Sequence, residues 1–193
     1  MWVIKIDKNE NKQWDRCFGG SGVDFLYSLQ LTVDGGYVLG RASDSGIGGD
    51  KTEDSRGTSD YWVVKIDSNG VKQWDKRFGG SSIDNFNSLQ QTSDHGYILG
   101  GYSYSGIGGD KTENNRGNVD YWVVKIDING AKQWDKRYGG SDIDQLNALE
   151  QTTDGGYVLG GYSASNVSGD KSEGSRGSND YWVLKIDTIG IKQ

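Results

Sequence analysis

In the stretch YWVVKID at residues 121–127, apolar side chains alternate. Trp122, Val124 and Ile126 fall on one face, and Tyr121, Val123 and Lys125 on the other. Apolar residues on both faces predict a strand covered from two sides. Around it the chain reads as four strands per unit. NFNSLQQT carries Phe86 and Leu89, and the SDHG turn follows. YILGGYSYS is rich in strand formers and leads into a polar loop over 105–120. YWVVKID comes next. A turn containing Asn-Gly joins it to AKQWDKRYGG, with Trp134 and Tyr138 on one face. Asn-Gly predicts a two-residue hairpin with positive φ at both positions. Gly100 and Gly101 inside a strand predict a bulge or a close backbone approach. No segment keeps a 3.6-residue period long enough for a helix.

The unit recurs every 60 residues. Trp2, Trp62, Trp122 and Trp182 keep that step, as do Trp14, Trp74 and Trp134. Residues 61–120 and 121–180 are about two-thirds identical. Such self-similarity signals a modular array. A repeated four-stranded antiparallel meander that is apolar on both faces predicts an all-β, β-propeller-like array of about three blades. The divisions are 1–20 (the last two strands of a blade), 21–80, 81–140, and an incomplete blade at 141–193. Three blades are too few to close a ring. The expected outcomes are a homo-oligomer or a fragment of a longer array.

The motifs DGGYxLGGYS, GDKTE, DYWVVKID and QWDK resemble, in that order, the repeats of bacterial secreted and cell-surface propeller-like proteins with Kelch-like strand order. The resemblance covers the whole chain. It implies a propeller fold and an extracellular or cell-surface setting, and it implies no defined activity.

Composition narrows the function. The net charge is −6 and no basic stripe is present, which argues against nucleic-acid binding. No apolar run is long enough to span a bilayer, and no signal peptide opens the chain. Cys17 is the single cysteine and stands where the sister repeats carry Arg77 and Arg137, which suggests a buried or idle thiol. His95, the single histidine, stands where the sister turns carry Gly35 and Gly155, so a turn residue is expected rather than a general base. Arg41 replaces Gly101 and Gly161, and Glu10 stands in the turn that holds Gly70 and Gly130. Both read as drift in a terminal repeat, with a specialised site at Arg41 as the alternative.

The candidate chemistry sits in the charged loops. Meander topology sends the tight turns to one rim and the long loops to the other, and rigidly held loops are where binding concentrates. The recurring residues are Asp50, Lys51, Glu53 and Arg56; Asp110, Lys111, Glu113 and Arg116; and Asp170, Lys171, Glu173 and Arg176. With Tyr102 and Tyr162 they form the candidate ligand surface, for a glycan or a protein. The competing reading pairs these charges with one another to order the loop. Ca²⁺ is a weaker alternative, because the Asp-x-Asp-x-Asp-Gly spacing is missing. No cofactor is expected. Asp84 and the pair Asp142 and Asp144 fall in connections between units, where nothing in the sequence signals burial. A non-catalytic binding or scaffolding module is therefore expected, with a self-assembling structural unit as the alternative and a glycan-active hydrolase as the lesser one.

Overall fold

The computed structural model describes residues 1–193 and is all-β. A two-stranded sheet pairs β1 (Trp2–Ile6) with β2 (Lys12–Cys17). A four-stranded meander follows: β3 (Ser28–Leu31), β4 (Tyr37–Ser43), β5 (Asp60–Ile66) and β6 (Lys72–Phe78). The next has β7 (Asp84–Gln91), β8 (Tyr97–Ser103), β9 (Asp120–Ile126) and β10 (Lys132–Tyr138). The last sheet has β11 (Asp144–Gln151), β12 (Tyr157–Ser163) and β13 (Asp180–Ile186). Every pairing within a sheet is antiparallel.

The sheets pack face to face in a row that does not close into a ring. In the last two sheets the first strand lies against the preceding sheet, β7 on β3–β5 and β11 on β7–β9. The alternation in YWVVKID now has its cause. Trp122, Val124 and Ile126 face back into one apolar cluster with Tyr61, Val63 and Phe86. Tyr121 and Val123 face forward into the next cluster, with Leu146, Leu149 and Trp182. Each central third strand is buried along its whole length.

Gly40 and Gly100 permit this approach. A Cβ on Gly40 would enter the Phe86 ring, and one on Gly100 would meet Leu146 and Leu149. Gly101 lies opposite the bulge between Phe86 and Ser88, so both readings of the paired glycines hold. Two tyrosines lace the sheets further. Tyr61 donates its hydroxyl to the Trp122 carbonyl at 3.0 Å, and Tyr121 does the same to Trp182 at 3.0 Å. A Gln ladder joins the first strands. Gln91 Oε1 accepts from Val33 N at 2.9 Å, and Gln151 Oε1 from Ser93 N at 2.8 Å.

The hairpin turns correct one expectation. Only Gly70 and Gly130, not the preceding Asn69 and Asn129, have positive φ (77° and 81°). Asp67 Oδ1 accepts from Asn69 N and Val71 N, both at 2.8 Å, and the Asp67 backbone closes the loop by accepting from Gly70 N and donating to the Val71 carbonyl, which leaves three residues in the loop. The aspartate's own hydrogen bonds decide the turn, so the Asn-Gly pair does not form the two-residue type. Glu10 takes the same conformation in the first repeat, with φ of 66°. His95, also at φ 66°, is a turn residue as expected.

Candidate binding face

The long loops lack an apolar anchor, and a lysine serves instead. Gly48–Lys51 and its copies Gly108–Lys111 and Ser168–Lys171 form tight reversals. Each returns its lysine into the protein. Lys51 Nζ donates to the Ser45 carbonyl and, at 2.6 Å, to Ser55 Oγ. Lys111 Nζ donates to the Glu113 carbonyl at 2.7 Å and to Asn115 Oδ1 at 2.8 Å. Lys171 Nζ reaches the Ser165 carbonyl at 2.6 Å and Ser175 Oγ at 2.9 Å. Burial disfavours the ammonium and lowers the Lys111 pKa to about 8, although Asp120 and Asp84 pull the other way.

Aspartate and arginine join neighbouring sheets. Asp110 Oδ2 accepts from Arg56 at 2.7 Å, Arg77 at 2.8 Å and Gly79 N at 3.1 Å. Asp170 repeats this with Arg116 at 2.7 Å, Arg137 at 3.1 Å and Gly139 N at 3.1 Å. Asp50 keeps only the amide contact, from Gly19 N at 3.1 Å, because Cys17 stands where the arginine would be. Glu53 pairs with Lys76 at 3.3 Å, and Glu113 with Lys136 at 3.1 Å. Glu173 and Arg176 line a cavity of about 220 Å³ beside Tyr181. Tyr102 and Tyr162 stand half-buried at the strand ends that lead into these loops. Asp110 with Arg56 and Asp170 with Arg116 thus come together across sheets, the lysines, Glu53 and Glu113 bond within their own repeats, and the two tyrosines stand apart from these pairs.

Three sequence expectations change. Cys17 is exposed, not buried, since no sheet covers the outer side of β2 at its end. Asp84 and Asp144 open β7 and β11 and are fully buried, as are Asp60 and Asp120. Asp84 Oδ2 accepts from Gly80 N at 2.7 Å and Ser105 Oγ at 3.0 Å, which staples the connection. Burial raises the pKa of Asp84, and raises that of Asp120 to about 6. Arg41 is not drift. It is fully buried, ion-paired with Asp24, and donates to the Val23 carbonyl at 2.7 Å. Its guanidinium lies 5.2 Å from the centroid of the Trp62 ring. In the next two sheets that place over Trp122 and Trp182 belongs to Tyr61 and Tyr121, with centroids 4.9 and 4.8 Å apart. Residue 1 is Met where those tyrosines stand, and Arg41 fills the space from the other side.

Asp75 and Asp135 escaped the sequence reading. Asp75 accepts from Thr52 N and Trp62 Nε1, both at 2.9 Å, and pairs with Lys72 at 2.9 Å. Burial raises its pKa, but these donors together outweigh burial and lower it. Asp135 repeats the arrangement through Thr112, Trp122 and Lys132. The signal was present in QWDK, where an acid occupies an inward position of the alternation. The chain contains no helix long and apolar enough to cross a membrane.

No family model matches the chain. It is 28% identical over 143 residues to the regulatory protein FlaEY of Caulobacter vibrioides, across 72% of this chain and 15% of that one. A protein of unknown function from Bacteroides caccae shares the fold, with a TM-score of 0.51 at 10% identity. That match spans 97% of this chain and 51% of the other. The chain therefore corresponds to part of each longer protein.

Proposed function

We propose that this chain is a non-catalytic binding module, built as a propeller-like array of a secreted or cell-surface protein. Its ligand, a glycan or another protein, meets the face that carries the GDKTE loops. One observation carries this reading: those loops are held from below by buried lysines and across sheets by Asp110 and Asp170, so they present fixed surfaces. The fully buried carboxylates Asp60, Asp84, Asp120 and Asp144 lie under the surface, which favours a stapling role over hydrolysis. The two matched proteins are longer, which fits a module within a larger chain. A glycan and surface-protein binding screen, with and without Ca²⁺, tests the reading. Saturable binding weakened by Arg116→Ala is expected; no binding to either class counts against it.

A second reading is self-association, favoured by the last sheet. Tyr181 and Val183 are 96% and 64% exposed, whereas Tyr61, Val63, Tyr121 and Val123 at the same positions are fully buried under the next sheet. An apolar face of this kind is covered in an array by another repeat. Solution mass by light scattering tests it: a dimer or larger species is expected, and Tyr181→Asp reduces it to monomer. A monomer at micromolar concentration removes this reading.

A further inference from the structure

The first full sheet departs from its sisters where the loop-rich rim meets the first strands. In the second sheet Asn85 pairs across the ladder with Tyr102, and in the third Gln145 pairs with Tyr162. The first sheet inverts this arrangement, with Phe25 on the first-strand side and Ala42 on β4. Residues 25–27 also fall outside the strand, although Tyr27 N still donates to the Gly40 carbonyl at 3.2 Å. β3 begins only at Ser28, and a single bridge joins Asp24 to Ser43. The combined result is a cavity of about 350 Å³ whose walls include Phe25, Tyr27, Ala42, Asp44, Ser59 and Asn85. Phe25 and Tyr27 are 62% and 59% exposed. Both stand where the sister repeats place Asn85 and Gln145, or Asn87 and Asn147.

We infer that this cavity is a subsite for a neutral pyranose of an oligosaccharide. The inference rests on the binding-module reading and moves its centre from the charged loop residues to this cavity. Two exposed aromatic side chains offer faces to the C–H side of a sugar ring, an amphipathic use suited to tyrosine in particular. The polar wall supplies the complementary hydrogen bonds. Asp44 is oriented by its Oδ1, which accepts from Val23 N at 2.9 Å, and Asn85 and Ser59 add an amide and a hydroxyl. A pocket lined by apolar and aromatic side chains with a few polar groups among them is the usual form of a small-ligand site. An anionic ligand is disfavoured, because Asp44 lines the cavity and the nearby Arg41 is committed to Asp24. A lipid tail is disfavoured by the polar wall. Tyr102, the ladder partner of the lining Asn85, has its ring centroid 6.2 Å from that of Tyr104.

The test titrates hexaoses of glucose, N-acetylglucosamine, xylose and mannose into the chain by calorimetry and saturation-transfer NMR. At least one binds, and the transferred signal falls on sugar ring protons. Ala42→Tyr fills the cavity as the sisters do and weakens binding at least tenfold; Phe25→Asn, also a sister residue, does the same. Ile128→Ser, on the opposite rim, leaves binding unchanged. Melting curves show that each variant folds. If a hexaose binds but both Ala42→Tyr and Phe25→Asn leave its affinity intact, this subsite is wrong and the binding-module reading stands. If no hexaose binds while a surface protein does, the sugar assignment is wrong and the module reading again stands. If neither class binds, both fail.

Discussion

The junction between β1–β2 and the first full sheet is built differently from the two junctions that follow it. In the later ones a tyrosine from the preceding sheet covers the tryptophan, and an aspartate gathers two arginines and an amide. At the first junction an arginine from within the sheet covers Trp62, and the aspartate holds an amide alone. The backbone ladder of the first full sheet nevertheless keeps the register of its sisters from β4 to β6. The contrast teaches that the meander sets itself through local strand pairing. The space between sheets accepts different fillings, provided that volume and charge balance. Arg41 satisfies both, because it replaces a ring in volume and neutralises Asp24 in charge.

The largest effect is expected from breaking that substitute. Arg41→Ala leaves Asp24 buried without its partner, which costs about 3 kcal/mol. The check is thermal unfolding followed by tryptophan fluorescence. Restoring the sister solution, Arg41→Gly together with Met1→Tyr behind a new initiating Met, recovers most of the loss. An Arg41→Ala melt that matches wild type contradicts this account of the junction.

The aspartate locks come next. Asp110→Asn removes a charge that holds Arg56 and Arg77 and costs about 1–2 kcal/mol, at or below the lower end for hydrogen bonds to charged groups because Arg56 and Asp110 are partly exposed. Asp50→Asn loses little, about 0.5 kcal/mol or less, because Asp50 meets only an amide and its surroundings are partly exposed. Cys17→Arg sharpens the comparison, since it adds the missing donor and makes the Asp50→Asn penalty rise. Urea midpoints of the four variants measure the differences. Equal penalties at Asp50 and Asp110 contradict the distinction.

A smaller effect is shared by both regions and depends on pH. Lys65, then Thr32, hold the Asp34 carboxyl down to about 2. At Asp94 burial pushes upward, but Thr92, Lys125 and Gly96 together prevail and also bring it to about 2. A carboxylate with a lowered native pKa stabilises the fold above its ordinary value, near 3.8, and loses that contribution as pH falls towards 2. The melting temperature therefore declines between pH 4 and 2. Asp34→Asn and Asp94→Asn each flatten the decline, the wild-type slope being the reference. Both carboxylates are half exposed, so solvent screening keeps the change modest.

A comparably small effect is at the turns. His95→Gly relieves a left-handed conformation and stabilises by about 0.5–1 kcal/mol, whereas Gly35→His costs a similar amount. Differential scanning calorimetry distinguishes the two signs.

Much of the architecture was legible in the residues. The period, the four-strand unit and the two-faced burial of YWVVKID all emerge from alternation and turn residues, which act over a few positions. The candidate loop residues were legible as a recurring group, yet their partners were not. That Asp110 meets Arg77 depends on two sheets stacking, and the two residues lie 33 positions apart. Asp75 hid in plain sight as one acid among many, since only burial separates it from the others. The hairpin type was misread because the side chain of Asp67 outweighed the preference of the Asn-Gly pair.

The sequence by itself determined the strands, their antiparallel order within each unit and the rim that carries each kind of loop. These depend on a two-residue alternation and on turns that close within a few residues. Only the tertiary structure decided which charges are buried, why Arg41 is needed, and where a cavity opens. Desolvation, volume and charge balance are properties of two sheets in contact, and they take their values from residues far apart in the chain.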